Sequence, residues 1–193
     1  MIELIQRFIE IPSVANLEKE NKEAMDYLES RLKEIGFSID RKGNSPTKQP
    51  VMVANYVNEK SENKIVLYNH YDVEKINREE KWYTDPFKLE EIEGRLYGRG
   101  IADNKGVLLT RVLAIKTLID NGDEIPNILW IIQGEEEVAG PTPFEVIPPL
   151  FETEDACFYL EETGVVKEDG TPVIFYLHND NSDVPSIVEE LNE

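Results

Sequence analysis

The stretch LYNHYDVEK at residues 67–75 decides the fold class of this chain and shows where to look for a site. It completes the run KIVLYN at residues 64–69, whose apolar character is typical of a buried β-strand. His70 follows this run and Asp72 comes two residues later, so at strand period both side chains share one face. A ligating histidine normally needs a carboxylate or carbonyl on its other ring nitrogen, which Asp72 could supply. Taken alone, the pair is more typical of an ordinary strand end than of a metal site.

A second stretch, GRGIADNKG at residues 98–106, comes just before a predicted helix. Its glycines permit tight backbone turns. Asp103 could be the N-terminal cap of that helix, which is the more common role for an aspartate in this position, or it could be a metal ligand. Lys105 could pair with a nearby carboxylate or be exposed at the surface.

Carboxylates also follow two other apolar runs. GEEEVAG at residues 134–140 follows the run at 127–132, and Glu161 and Glu162 follow the run at 156–160. A cluster of like charges raises the pKa of its members unless a cation neutralises them. Open α/β sheets build their sites at the carboxyl ends of their strands. Three strands that end in histidine or carboxylate groups therefore predict a metal site.

The composition indicates a globular protein with one core. The chain has 193 residues, of which 40% are hydrophobic and 31% are charged. Its formal net charge of −19 argues against nucleic-acid binding, because phosphates would be repelled. Such acidity indicates a solvated surface, and a smaller part of it could be carboxylates gathered around metal.

Neither the cysteine content nor the apolar runs indicate export or a membrane. Cys157 is the only cysteine, so the chain cannot form an internal disulfide. Residues 1–13 carry Glu3, Arg7 and Glu10 among apolar residues, which is typical of an amphipathic helix and not of a signal peptide. No apolar stretch approaches the length that spans a membrane. These features predict a cytoplasmic location.

Helices and strands alternate along the sequence. Helices are predicted from the start of the chain to just before Pro12, at about 22–35, and at 106–120 with Asn121 and Gly122 closing the last of them. Strands are predicted at residues 51–57, 64–69, 127–132 and 156–160, the first two joined by the polar turn NEKSEN. This alternation predicts an α/β fold in which a central, mostly parallel or mixed sheet is flanked by helices.

With these motifs the chain resembles the zinc aminoacylase/carnosinase-type dipeptidase family of metallopeptidases, which includes carboxypeptidase G and succinyl-diaminopimelate desuccinylase. HYDV, W-x-x-DPF, GRG-x-x-D-x-KG and GEEE-V-x-G occur in the order typical of the family, and the match extends to about residue 177. Asn69 stands where a glycine is usual, and Ala139 interrupts the usual E-E-x-G spacing, but neither change removes a ligand. The resemblance implies a zinc-exopeptidase-like domain, in its N-terminal catalytic portion.

The resemblance also implies a set of metal ligands. Two zinc ions would be bridged by Asp103, with His70 and Glu161 completing the protein ligands of one ion and Glu137 binding the other. Glu161 is preferred to Glu162 because it directly follows the strand. Cobalt or manganese could replace zinc, because oxygen ligands with a single imidazole suit all three ions.

The catalytic roles are likewise implied by the resemblance. Asp72 would orient the ligating histidine, and Glu136 would be the general base on the water bridged by the two zinc ions, later passing its proton to the leaving amine. Glu135 has no assigned role. The family also has a cis peptide after the bridging aspartate, which would fall at Asp103–Asn104.

Two parts of the family pattern lie outside this match. In the family, the second metal takes one more histidine from a C-terminal segment, and an inserted lid domain recognises the substrate and dimerises. His178 is the only other histidine here, and its place in an acidic tail is more typical of a surface residue than of a ligand. We therefore expect residues 1–177 to be an incomplete zinc-hydrolase catalytic domain without the lid, and residues 178–193 to be an acidic tail or the start of a missing segment.

The sequence thus predicts a metal-dependent hydrolase of peptide or N-acyl amide bonds, most similar to the dipeptidases. Its substrate would be a small peptide or an N-acyl amino acid, and its partner a second copy or a separate C-terminal chain, with no nucleic acid and no membrane. As a fragment or truncated form, the chain would have weak activity or none. The alternative is a non-catalytic metal-binding or interaction module derived from the same fold.

Overall fold

The structure is a computed structural model that describes residues 2–43, 49–152, 158–161 and 176–177. Its strands, in chain order, are β1 (Ser38–Lys42), β2 (Val51–Tyr56), β3 (Lys64–His70), β4 (Glu90–Ile92), β5 (Arg95–Tyr97), β6 (Asn127–Gln133), β7 (Phe158–Leu160) and β8 (Tyr176–Leu177). Its helices are α1 (Ile2–Ile9), α2 (Glu18–Glu34), α3 (Lys105–Asn121) and α4 (Pro141–Glu152), with a short 3-10 helix at Glu136–Val138. None of the helices formed by these residues has the length and apolarity to cross a bilayer.

The main sheet is mixed, as predicted. Its strand order is β1-β2-β6-β3-β7-β8, while β4 and β5 form a separate antiparallel hairpin. β3 runs parallel to both β6 and β7, and the remaining pairs in this sheet are antiparallel. The turn NEKSEN does not close a hairpin between β2 and β3, because β6 lies between these two strands.

Both faces of the sheet are covered. Along β6, the side chains of Ile128, Trp130 and Ile132 belong to one buried cluster and those of Leu129 and Ile131 to another, which is the period-2 alternation of a strand. The first cluster includes apolar residues of α1, α2 and α3. The second packs against apolar residues of α4. The sheet is therefore sandwiched between helices, and the predicted α/β fold is confirmed.

The topology brings the predicted site together. In the register between β3 and β6, His70 pairs with Gln133, and Leu67 of β3 pairs with Leu160 of β7. The three parallel strands therefore end at the same edge of the sheet. Three of the predicted ligands, His70, Glu137 and Glu161, lie at or just after these strand ends, and the fourth, Asp103, lies just before α3.

Candidate metal centre

His70 ends β3 and is completely buried. Its Nε2 atom lies 2.8 Å from Asp103 Oδ1, and its Nδ1 atom lies 3.0 Å from the backbone oxygen of Asp72 and 3.3 Å from Asp72 Oδ1. With Nδ1 hydrogen-bonded to Asp72, the Nε2 atom faces Asp103, and a cation could take the place of the hydrogen that Nε2 donates to Asp103. The hydrogen bond from His70 is also the main reason that the pKa of Asp103 is lowered.

Asp72 joins this histidine to the glutamate turn, which is formed by Glu135, Glu136 and Glu137. Its side chain is completely buried, and its two carboxylate oxygens accept the backbone N–H groups of Glu136 at 3.3 Å and Glu137 at 3.1 Å. The sequence analysis placed Asp72 beside the imidazole, and the structure puts it there. The hydrogen bonds between Asp72 and the glutamate turn could not be predicted, because nothing in the local sequence links residue 72 to residues 136 and 137.

Asp103 lies in an exposed turn just before α3. The N-cap position of that helix is Asn104, which makes no side-chain capping hydrogen bond. The reading of Asp103 as the helix cap is therefore wrong, and its carboxylate faces His70 instead. The peptide bond between Asp103 and Asn104 is cis, as the resemblance implies.

Glu137 completes a group of three side chains that could hold a cation. One ligand atom each from His70, Asp103 and Glu137 lies within 4.8 Å of the other two. The pKa of the half-buried Glu137 is raised, first by loss of solvation and then by the negative charges of Asp103 and Asp72, with His70 opposing them. A cation would relieve this repulsion, and one imidazole with two carboxylates is a donor set that zinc, cobalt and manganese accept. The residues present therefore fit a divalent cation.

Glu161 does not belong to this group of three, which is the only such group among the described residues. It is exposed, and its backbone oxygen accepts a hydrogen bond from Arg111 Nη2 on α3. Glu162 and His178 lie outside the described residues. The choice of Glu161 over Glu162, and the reading of His178 as a surface residue, stay predictions.

The other two glutamates of the turn differ in their surroundings. Glu135 is buried, and its carboxylate accepts the backbone N–H groups of Gln49 at 2.8 Å and of Thr142, in the first turn of α4, at 3.1 Å. Glu136 is half-buried and lines a cavity of about 300 Å³ together with apolar residues of α4, including Phe144. Glu135 therefore braces the turn, whereas the side chain of Glu136 faces open space.

Lys105 is neither paired with a carboxylate nor exposed, so both readings from the sequence were wrong. It is completely buried, and its Nζ atom donates to the backbone oxygens of Phe8, at 3.0 Å, and Ile11. Burial lowers its pKa to about 7, partly opposed by the negative charge of Asp72. Lys105 thus supplies hydrogen bonds that the end of α1 cannot make within the helix. The local sequence could not indicate these contacts of Lys105, because the partners lie more than 90 residues earlier in the chain.

The chain is similar to known metallopeptidases. The model for the family described as Peptidase family M20/M25/M40 matches residues 66–188, which is more than half of the chain. The Cys-Gly metallodipeptidase dug1 of Schizosaccharomyces pombe is 31% identical over 146 residues, which cover 69% of this chain and 31% of that protein. The Beta-Ala-His dipeptidase of Rattus norvegicus is 33% identical over 125 residues, covering 60% of this chain and 25% of that protein. The chain therefore spans about a third or less of the length of these curated relatives.

Two solved structures show the same fold. The M20 family metallo-carboxypeptidase Sso-CP2 from Sulfolobus solfataricus superposes with a TM-score of 0.74 at 28% identity, covering 88% of this chain and 38% of that one. Human carnosine dipeptidase 1 superposes with a TM-score of 0.71 at 25% identity, covering 79% of this chain and 35% of that one.

Proposed function

This chain belongs to peptidase family M20/M25/M40, and on that premise we propose that it forms part of a dipeptidase-like metal-dependent hydrolase of peptide or N-acyl amide bonds. The observation that carries the proposal is the convergence of His70, Asp103 and Glu137 at one edge of the sheet. These residues come from three separate segments, and the buried Asp72 contacts two of the segments at once. Both curated relatives described above are named as dipeptidases, which favours this class of substrate.

The proposed metal is zinc, with cobalt and manganese as the alternatives. Asp103 would be shared by two such ions, with His70 and Glu161 holding one and Glu137 holding the other. When bound, such ions would polarise the carbonyl of the scissile amide and lower the pKa of the attacking water. The close approach of His70 Nε2 and Asp103 Oδ1, at 2.8 Å, supports this arrangement, because a cation would take the place of a proton between two ligand atoms.

Glu136 is the proposed general base. Its backbone N–H is held by Asp72, and it is the neighbour of the ligand Glu137 on the same short helix. Glu136 is only half-buried and lines the cavity beside α4, so its carboxylate is accessible to water. Its carboxylate would take a proton from the attacking water and return it to the leaving amine.

A complete site would need groups in addition to His70, Asp103 and Glu137. One further ligand and the groups that read the substrate would come from beyond the three-ligand cluster. The candidate sources are His178, a second copy of this chain, or a separate chain. We propose that this chain on its own has only weak activity until those groups are supplied, and that it acts in the cytoplasm.

A second candidate function is a non-catalytic metal-binding module. It is favoured by one observation: the group of three ligands in the described part of the chain suits a single cation, and Glu161 lies apart from it. This candidate predicts one tightly held ion and no hydrolysis with any ion.

The test is hydrolysis of a mixed panel of dipeptides by this chain with added zinc, manganese or cobalt, together with a zinc titration. Glu136→Gln is the test variant, and Glu23→Gln, on the exposed face of α2, is the control for loss of one carboxylate. We expect metal-dependent turnover that Glu136→Gln loses and Glu23→Gln keeps. Turnover that survives in Glu136→Gln would show that Glu136 is not the general base. Zinc binding without turnover would favour the non-catalytic module.

A further inference from the structure

Asn69, the residue before His70, is completely buried and uses both ends of its side-chain amide. Its Oδ1 atom accepts hydrogen bonds from Trp130 Nε1 on β6, at 2.9 Å, and from Arg111 Nη1 on α3, at 2.7 Å. Its Nδ2 atom donates to Asn104 Oδ1, a buried residue next to Asp103. A glycine at position 69 could make none of these contacts.

Arg111 extends the same network to the end of β7. Its Nη1 atom also donates to the backbone oxygen of Tyr68 at 2.9 Å, and its Nη2 atom donates to the backbone oxygen of Glu161. One planar guanidinium group therefore contacts β3 just before His70 and the residue that directly follows β7. A planar group with several fixed donors holds such partners in a defined geometry.

The network joins the three segments that carry proposed ligands of one ion. It includes the residue before His70, the residue after Asp103, and Glu161 itself. Each hydrogen bond involves a backbone oxygen or the side chain of a residue that is not a proposed ligand, so none of them occupies a ligand atom. A buried amide with every group paired also fixes the position of its partners, because leaving any one unpaired is unfavourable.

We propose that Asn69 and Arg111 are positioning residues, which set the spacing of His70, Asp103 and Glu161 for cation binding. This inference rests on the proposed function, in which these three residues are ligands. It assigns a purpose to the asparagine that replaces the usual glycine. It also explains why Glu161 can be a ligand although it is exposed: its backbone is tied to the same network as the buried histidine.

The test uses the whole chain and the variants Asn69→Ala, Arg111→Gln and their combination. The matched control is Asn21→Ala, because Asn21 is equally buried and its amide donates to the backbone oxygens of Val14 and Leu17, which are not members of the network. The first readout is hydrogen–deuterium exchange of the metal-free chain. The second is the dissociation constant for zinc, measured by competition with a chromophoric chelator, with the thermal midpoint recorded for each variant.

We expect faster hydrogen–deuterium exchange at residues 98–106 and 158–161 in Asn69→Ala and in Arg111→Gln. In Asn21→Ala, exchange at these two segments should match the wild type. The dissociation constant for zinc should rise about 10-fold or more in each variant, as for other residues that orient ligands, and the double variant should add little to either single one. Asn21→Ala should lower the thermal midpoint and leave the zinc affinity unchanged.

Unchanged zinc affinity and unchanged exchange at those two segments in Arg111→Gln would overturn the proposal. This variant also decides the question if Asn69→Ala does not fold, because Arg111 is only half-buried. A wild-type chain that binds no zinc would count against the proposed function instead. The exchange measurement would then still decide whether Asn69 and Arg111 hold the three segments together.

Discussion

The carboxylate of Asp72 accepts the backbone N–H of Glu137 at 3.1 Å, across 65 residues of sequence. The same buried side chain approaches the Nδ1 atom of His70. One residue thus fixes two proposed ligands relative to each other, and it does so without being a ligand itself.

Replacing Asp72 should therefore weaken metal binding more than it weakens the fold. In Asp72→Asn, one acceptor becomes an NH2 group that faces the N–H donors of Glu136 and Glu137 or the imidazole. We expect the zinc affinity to fall about 10- to 100-fold, as measured by isothermal titration calorimetry. Asp120→Asn, an exposed change on α3, should bind zinc like the wild type. Equal affinities in the two variants would contradict this role.

The raised pKa of Glu137 predicts a pH dependence in the metal-free chain. Because the pKa is higher in the folded state than the ordinary value of 4.5, the unfolded state releases this proton first as the pH rises. The free energy of unfolding should therefore decrease as the pH rises from about 4.5 through the folded pKa, and level off above it.

The variant Glu137→Gln isolates this effect. In the presence of a chelator at neutral pH it should unfold at a higher urea concentration than the wild type, because a neutral amide avoids the repulsion from Asp103 and Asp72. Added zinc should reverse the order, since only the wild type keeps the carboxylate ligand. If the variant is less stable than the wild type under both conditions, the negative charge of Glu137 does not destabilise the metal-free fold.

Lys105→Met should destabilise the chain although it removes a buried charge. The methionine keeps much of the volume, but the backbone oxygens of Phe8 and Ile11 each lose one of their donors. We expect a loss of about 1–3 kcal/mol in the free energy of unfolding, from urea titration. The exposed substitution Lys116→Met on the same helix should change it by less than about 0.5 kcal/mol. A neutral result at Lys105 would mean that relief of the buried charge outweighs the lost hydrogen bonds.

Gly134→Ala should disturb the entry to the glutamate turn. A Cβ atom on Gly134 would lie 2.2 Å from the ring of Tyr71, whose hydroxyl group donates to the backbone oxygen of Pro50. The tyrosine would have to move, and we expect a cost of about 1–3 kcal/mol in the free energy of unfolding. Gly94→Asn is the control, because nothing lies within 4 Å of its Cβ position and asparagine tolerates its positive φ. Equal stability of the two variants would contradict the close packing at Gly134.

Elements with strong local patterns could be predicted from the sequence. The runs that became β3 and β6 are apolar and short, and α3 is followed by Gly122, which has the positive φ that glycine favours. α4 was missed because Pro148 and Pro149 lie inside it, and prolines normally exclude a helix. β1 was missed because its sequence SIDRK is polar and lies at the edge of the sheet.

The candidate site could be predicted only in its residue types. The order of the motifs indicated His70 and Glu137, which lie at or just after the ends of β3 and β6, and Asp103, which lies just before α3. The support around them could not be foreseen, because it depends on contacts between distant segments. Asn69 is the clearest example: in the sequence it is only a departure from glycine, and its partners become evident when β6 and α3 are packed beside β3.

The position of β6 between β2 and β3 has a consequence for how the chain acquires its structure. β2 and β3 are neighbours in sequence, yet each must wait for a strand that is synthesised some 60 residues after β3 before it gains this partner. Until then both would expose unpaired edges, which invite association with other chains. Pairing over such separations is also slow, because long loops must close first. The arrival of β6 would join β2 to β3 and deliver the glutamate turn in one step, so a nascent chain would gain the middle of its sheet and the proposed ligand Glu137 together.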